Sequence, residues 1–241
     1  MAAIDPNFSP DVMEHGAERD GKPQEMNNRL FMQLLAFESD APELSIQQIG
    51  AALDEAGARA VIYQDVNHAQ GLAVLSFSDE PADFVKRTRA GISKVSGLRA
   101  RPELSMLGRT YSTGYEPDLE YWLLRRPAET VKNADWPWAV WYPLRRSGAF
   151  EKLEPRERGG ILREHATIGK AYGHADLAHD IRLACHGLDA NDNEFVIGLV
   201  GKELHPLSHV VQSMRGTRQT SEFIVQMGPF FVGYAVWHSR A

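Results

Sequence analysis

Between Arg29 and Trp237 the spacing of apolar residues alternates between a period of two and a period near 3.6, and the whole order then recurs. In the first pass "RLFMQLLAF" reads as a strand, "SIQQIGAALDEAG" as a helix closed by Gly57, and "RAVIYQDV" and "GLAVLSFSD" as strands joined by the turn "NHAQ". "EPADFVKRTRAGI", with Pro81 near its start, predicts a second helix, and Gly97 to about Thr113 an extended run. In the second pass "WAVWYPLRR" is a strand and "PRERGGILREHATIGKAYG" a helix with Pro155 in its first turn. "DIRLACHGL" and "EFVIGLVGK" follow as strands, "HPLSHVVQSMRG" as a helix and "SEFIVQMGPFFVGYAVW" as an extended run.

A βαββαβ unit makes a four-stranded antiparallel sheet with both helices on one face, so its other face needs cover. Two units solve this by packing sheet against sheet with the helices outside. The expected fold is therefore α+β: tandem ferredoxin-like repeats packed as a dimeric α+β barrel within one chain, with a pocket between the layers. The expected divisions are a mobile N-terminal tail over 1–28, a first ferredoxin-like half over 29–113, a connector over 114–137 and a second half over 138–241. The tail, rich in Pro, Asp, Glu and Gly, has neither a charged n-region nor an apolar h-region, so it is not expected to be a signal peptide.

Of 241 residues 43% are hydrophobic, enough for a substantial core, and the formal net charge of -6 argues against nucleic acid as a partner. Short basic runs such as "LRRP" and "PLRR" still suit local anionic groups. The single cysteine, Cys185, excludes an internal disulfide and any multi-thiolate metal site. No apolar run reaches the roughly 18 residues that span a bilayer. A cytoplasmic address is the expectation.

The helix "GGILREHATIGKAYG" carries one histidine. At 100° per residue Ile161, Leu162, Ile168, Gly169 and Tyr172 fall within about 60° of His165, while Arg156, Arg163, Thr167 and Lys170 project from the far side. His165 therefore points inward, either as a core histidine bonded to a carbonyl or as a ligand. Period-2 alternation in "WPWAVWYP" puts Trp138, Val140 and Tyr142 on one sheet face and Ala139 and Trp141 on the other. Tyr142 is then a core tyrosine or a functional one. His205 and His209 have the i, i+4 spacing of a helical metal pair, but Leu207, Val210, Val211 and Met214 define the buried stripe opposite them, so no metal role is expected. His174, His179 and His186 are scattered without thiolate help, and neither a phosphate loop nor a G-x-S-x-G is present.

The second half, about Trp138 to Tyr234, resembles the chlorite dismutase superfamily, which includes the coproheme decarboxylases. The markers are "WYPLRRSGAF", "LREHATIGKAY", "GLDANDNEFVIGL", "ELHPLSHVVQSMR" and "MGPFFVG", in matching order and spacing. The resemblance implies that His165 is the proximal axial ligand of a haem-type iron, with Gly169 small enough for a flat macrocycle to approach the helix. It implies that Tyr142, in the "YP" of the decarboxylases, is the redox residue that takes hydrogen from a coproheme propionate. Arg146 matches the basic residue after "YP" and Ser221 the propionate-bonding serine. Arg125 or Arg126 corresponds loosely to a further propionate-binding arginine, against a solvated surface pair.

The implied activity is peroxide-dependent oxidative decarboxylation of two propionates of iron coproporphyrin III, giving haem b. Two alternatives stand beside it: a haem b enzyme splitting chlorite to chloride and dioxygen, and a non-catalytic porphyrin-binding protein. Their discriminant is the distal residue. Counting back from Gly187 gives Asp180, with Arg182 two residues on along the same strand face; Arg182 is either the distal cation of a chlorite-type site or a solvated edge residue. Val200 stands where chlorite dismutases carry a carboxylate that holds the proximal histidine, which agrees with the decarboxylase branch, whereas the aromatic pair after the "YP" arginine is reduced to Phe150. Family likeness further implies a homo-oligomer, typically a ring-shaped pentamer.

Overall fold

The computed structural model describes residues 9–241. Its first element corrects the expectation of a mobile tail over 1–28. β1 (Glu14–Arg19) and β2 (Lys22–Met26) form an antiparallel hairpin, turned at Asp20 and Gly21 with φ of 53° and 73°, the left-handed pair that a tight two-residue turn requires. The buried Glu14 carboxylate pairs with Arg29 at 3.1 Å and Arg109 at 3.2 Å and accepts the Ser112 N–H at 2.7 Å. The hairpin is thus tied down by long-range polar contacts, which leave no apolar periodicity in its sequence. Residues 1–8 of that predicted tail lie outside the described residues.

The body of the molecule begins with β3 (Phe31–Ser39), α1 (Pro42–Glu55), β4 (Ala60–Asp65) and β5 (Gly71–Ser78). The second predicted helix is a π-helical turn, Phe84–Arg89, running into the short α2 (Ala90–Ile92), and the extended run divides into β6 (Leu98–Ala100) and β7 (Met106–Arg109). The connector is not featureless: a π-helical turn Tyr121–Arg125 leads into α3 (Arg126–Lys132). Then come β8 (Trp138–Arg146), α4 (Pro155–His174), β9 (His179–Ala184), β10 (Phe195–Gly201) and α5 (Leu204–Arg215). The last stretch, expected to be extended throughout, instead starts with a π-helical turn, Gln219–Phe223. It continues as β11 (Ile224–Met227) and β12 (Phe231–His238), divided at Gly228, where φ is +92° and the Gly228–Pro229 bond is cis.

The fold is mixed α+β with one large antiparallel sheet. The strands do not form two separate stacked sheets. They run β10-β9-β7-β3-β5-β4-β12-β8-β11, and β8 also pairs with β10, so the path closes on itself. Closure removes sheet edges that would otherwise present unpaired backbone groups. Alternation along β8 then divides the molecule into an inside and an outside. Ala139 and Trp141 face inward, among Tyr63, Phe77, Leu75 and Phe231. Val140, Tyr142 and Leu144 face outward, beneath α4 and α5, with Leu199, Leu207 and Val210. The interior is therefore packed aromatic core and not the pocket expected between the layers; Tyr142 lies on the outer side of the sheet, under α4 and α5. Gly198, opposite Trp141 on β10, makes this filling possible, since a Cβ there would come within 2.5 Å of the indole ring.

Among the described residues no helix is long and apolar enough to cross a membrane.

Candidate functional site

Strand register brings the predicted residues of β8 and β9 together. Tyr142 pairs with Ile197, and Ile197 pairs with Arg182, so the three stand in one row across adjacent strands on the face below α4 and α5. The next row is Val140, Leu199, Asp180. Arg182 thus shares this face with Tyr142, and its side chain is 43% exposed.

His165 hangs over this face from α4. Ile161, Ile168, Gly169 and Tyr172 share its inward side as expected, but Leu162 is 42% exposed, because the helix rests on its neighbours along a narrower stripe than the wheel allowed. The Thr217 hydroxyl donates to the Met214 carbonyl at 2.7 Å, so its oxygen is left to accept from His165 Nδ1–H across a long 3.5 Å contact. With the proton on Nδ1, the lone pair lies on Nε2, which meets no hydrogen-bond partner among the described residues. Burial, reinforced by the positive charge of Arg182, holds the imidazole pKa below its usual value, so the ring is neutral. A neutral imidazole with one free, inward-facing nitrogen is the donor an axial iron ligand needs. Among the described residues no group of three or more His, Cys, Asp or Glu side chains could hold an ion by itself, and His165 supplies a single donor of the kind a macrocycle-bound iron takes.

Tyr142 is 5% exposed and stacks on Phe230, with ring centroids 4.6 Å apart and planes at 22°. Burial, and then the Asp180 charge, push its phenol pKa up, against a smaller pull from Arg215, so the O–H is retained. That hydroxyl hydrogen-bonds to no described residue. The same Asp180 charge acts on His165 as well, which places one carboxylate within range of both residues.

The remaining candidates fare differently. Arg146 does not offer a free fork to a propionate. It is 12% exposed, its Nη2 lies 2.5 Å from Glu194 Oε1 and its Nε 3.2 Å from both Glu194 oxygens, and the guanidinium sits between the Phe150 and Phe195 rings at 4.4 and 4.7 Å. Glu194 had no signal in the sequence, because it meets Arg146 only through the pairing of β10 with β8. Arg126 is not solvated: it donates to the Asp180 carbonyl at 2.9 Å, pairs with its Oδ1 at 3.1 Å and lies over Trp122. Arg125 is exposed, 3.9 Å from both Asp118 and Glu120.

Ser221 falls on the π-helical turn and not on a strand; its hydroxyl donates to the Thr217 carbonyl at 3.0 Å, on the same turn that orients His165. A Cβ on Gly169 would meet only Met214 Cε, at 3.5 Å, so nothing in the protein itself demands a glycine there. His205 and His209 are exposed, and His209 Nδ1 is engaged by the Tyr172 hydroxyl. Sequence reasoning missed Thr217, Phe230 and Arg215, all supplied by segments that approach His165 or Tyr142 only in the folded chain.

The large closed antiparallel sheet with its outer helices defines a class of α+β folds found in other solved proteins. The structure superposes on a novel heme-binding protein from Thermus thermophilus with a TM-score of 0.66 at 19% identity, covering 87% of this chain and 92% of that one. It superposes on a putative chlorite dismutase with a TM-score of 0.67 at 17% identity, covering 87% and 95%. A mutant chlorite dismutase from Candidatus Nitrospira defluvii in complex with cyanide gives a TM-score of 0.67 at 12% identity, covering 88% and 92%. No curated protein matches by sequence. The family described as chlorite dismutase matches residues 43–236. The chain belongs to the chlorite dismutase family.

Proposed function

We propose that the protein is a haem-binding oxidoreductase that carries out peroxide-dependent oxidative decarboxylation of iron coproporphyrin III to haem b, the porphyrin being substrate and cofactor at once. The observation that carries this reading is that a neutral His165 on α4 and a protonated, unbonded Tyr142 hydroxyl on β8 both lie within range of the Asp180 charge. When bound, the iron porphyrin supplies the redox chemistry with peroxide. His165 would ligate the iron through Nε2, with the Thr217 hydroxyl beside Nδ1. Tyr142 holds a hydrogen atom to give up and take back, its ring fixed by Phe230. Ile197 stands beside Tyr142 on β10 and Phe230 covers its ring, and Arg215 and Ser221 would meet propionate carboxylates in place of Arg146. In this reading the two halves are tandem ferredoxin-like units, and the chain works as a homo-oligomer, a pentamer by family likeness, in the cytoplasm.

A second reading, chlorite cleavage at haem b, is favoured by one observation: Arg182 stands in the same row as Tyr142. The test is to load the protein with ferric coproporphyrin III, titrate hydrogen peroxide and follow product masses. Stepwise loss of two carboxyl groups, abolished in Tyr142→Phe while binding persists, supports the first reading. Oxygen evolution from chlorite that disappears in Arg182→Ala replaces it with the second. Porphyrin binding with neither turnover leaves a non-catalytic binding protein.

A further inference from the structure

Arg182 makes an ion pair to Asp180 through Nε, at 3.0 Å, and no hydrogen bond to any described residue. Its remaining N–H groups are therefore uncommitted. Asp180 is itself braced: Arg126 on α3 holds its Oδ1 at 3.1 Å and its backbone carbonyl at 2.9 Å, and Trp122 packs against that guanidinium at 4.6 Å. Burial disfavours the Asp180 charge, but Arg182 and Arg126 outweigh it and keep the carboxylate ionised below the ordinary range. Beside the trio lies a cavity of about 20 Å³, the space of one water, walled by Tyr111, Glu116, Trp122, Arg126 and Arg182.

We propose that Asp180, braced by Arg126, is the positioning residue that holds Arg182 by its Nε side and turns its other N–H groups toward a small anion on the outer sheet face that Arg182 shares with Tyr142. This rests on the reading of that face and His165 as a haem site. The alternative physics has the opposite sign. A carboxylate that merely cancelled the charge of Arg182 would repel the anion, and removing it would tighten binding.

Fluoride, a small monoanion that ligates ferric haem and is held by nearby hydrogen-bond donors, distinguishes the two when its dissociation constant is read from the visible spectrum of the ferric haem-loaded protein. Arg182→Ala should weaken fluoride about tenfold, the size of one charge-assisted hydrogen bond. Asp180→Ala and Asp180→Asn should weaken it by a similar factor, with no further loss when Asp180→Ala is combined with Arg182→Ala. Asp180→Glu should restore affinity to within about threefold, and because it keeps both ion pairs it remains informative if the shorter variants fold poorly. Arg126→Met should move affinity in the same direction by less. Tighter fluoride binding, or none of these changes, in Asp180→Ala overturns the positioning role while leaving the haem site intact, provided Arg182→Ala has its effect. If Arg182→Ala changes nothing, Arg182 holds no anion and the positioning role fails while the haem site stands; if added ferric haem shows no Soret shift, the haem-site reading fails and takes this role with it.

Discussion

Arg146 presents the sharpest disagreement between residue type and residue environment, and Glu194→Ala tests it. In the folded chain the Arg146 guanidinium is 12% exposed and Glu194 17%, so removing the carboxylate strands a charge that water reaches only in part. Breaking such a pair costs about 3–5 kcal/mol when fully buried, and the residual exposure together with the two retained aromatic faces, about 0.5–1 kcal/mol each, brings the expected loss to about 2–3 kcal/mol. For a chain of this size that corresponds to a fall in Tm of about 4–12 °C. Glu194 has its pKa held below the usual value: burial opposes ionisation, but the Arg146 contact and charge prevail. A group depressed in the folded state contributes stability above its unfolded pKa, about 4.3, and loses it as pH falls through the folded value. Wild type should therefore lose stability below about pH 4.3 more steeply than Glu194→Gln, measured by urea unfolding across pH. Arg146→Met should cost less than Glu194→Ala, since it leaves the more exposed partner and keeps an apolar chain between Phe150 and Phe195. The reasoning is refuted if Glu194→Ala leaves Tm unchanged while Arg146→Met abolishes porphyrin affinity, the outcome expected of a free propionate anchor.

Two further substitutions probe the scaffold and the ligand. Gly198→Ala forces a methyl against the fully buried Trp141 ring and should destabilise the chain by about 1–3 kcal/mol, read as a lower urea midpoint with unchanged slope. His165→Ala removes a ring held only by one long contact, so the apoprotein should unfold within a few degrees of wild type while the shift of the Soret band that wild type induces in added ferric haem is lost; retention of that shift would remove His165 as the ligand.

The order of the main strands and helices from β3 to β5 and from β8 to α5, the division of β8 into two faces and the inward direction of His165 were legible in the sequence, because they depend on local periodicity. A period of two or of 3.6 is set by backbone geometry alone, so Trp141 and Tyr142 could be assigned to opposite faces without knowing what either would touch. The N-terminal hairpin was not legible, since its anchors, Glu14 with Arg29, Arg109 and Ser112, are polar and distant in the chain. The fate of each arginine was equally hidden. Nothing near Arg146 announces Glu194, and nothing near Arg126 announces Asp180; strand pairing and the packing of α3 decide which cations are neutralised and which remain open to a ligand. Nor could local pattern choose between a pocket inside the closed sheet and one outside it, because that choice depends on whether Trp141, Tyr63, Phe77 and Phe231 fill the interior together. Periodicity is a property of each segment, whereas charge pairing and cavity filling exist only between segments, and for that reason the sequence named candidate side chains while the tertiary structure determined which of them are already paired.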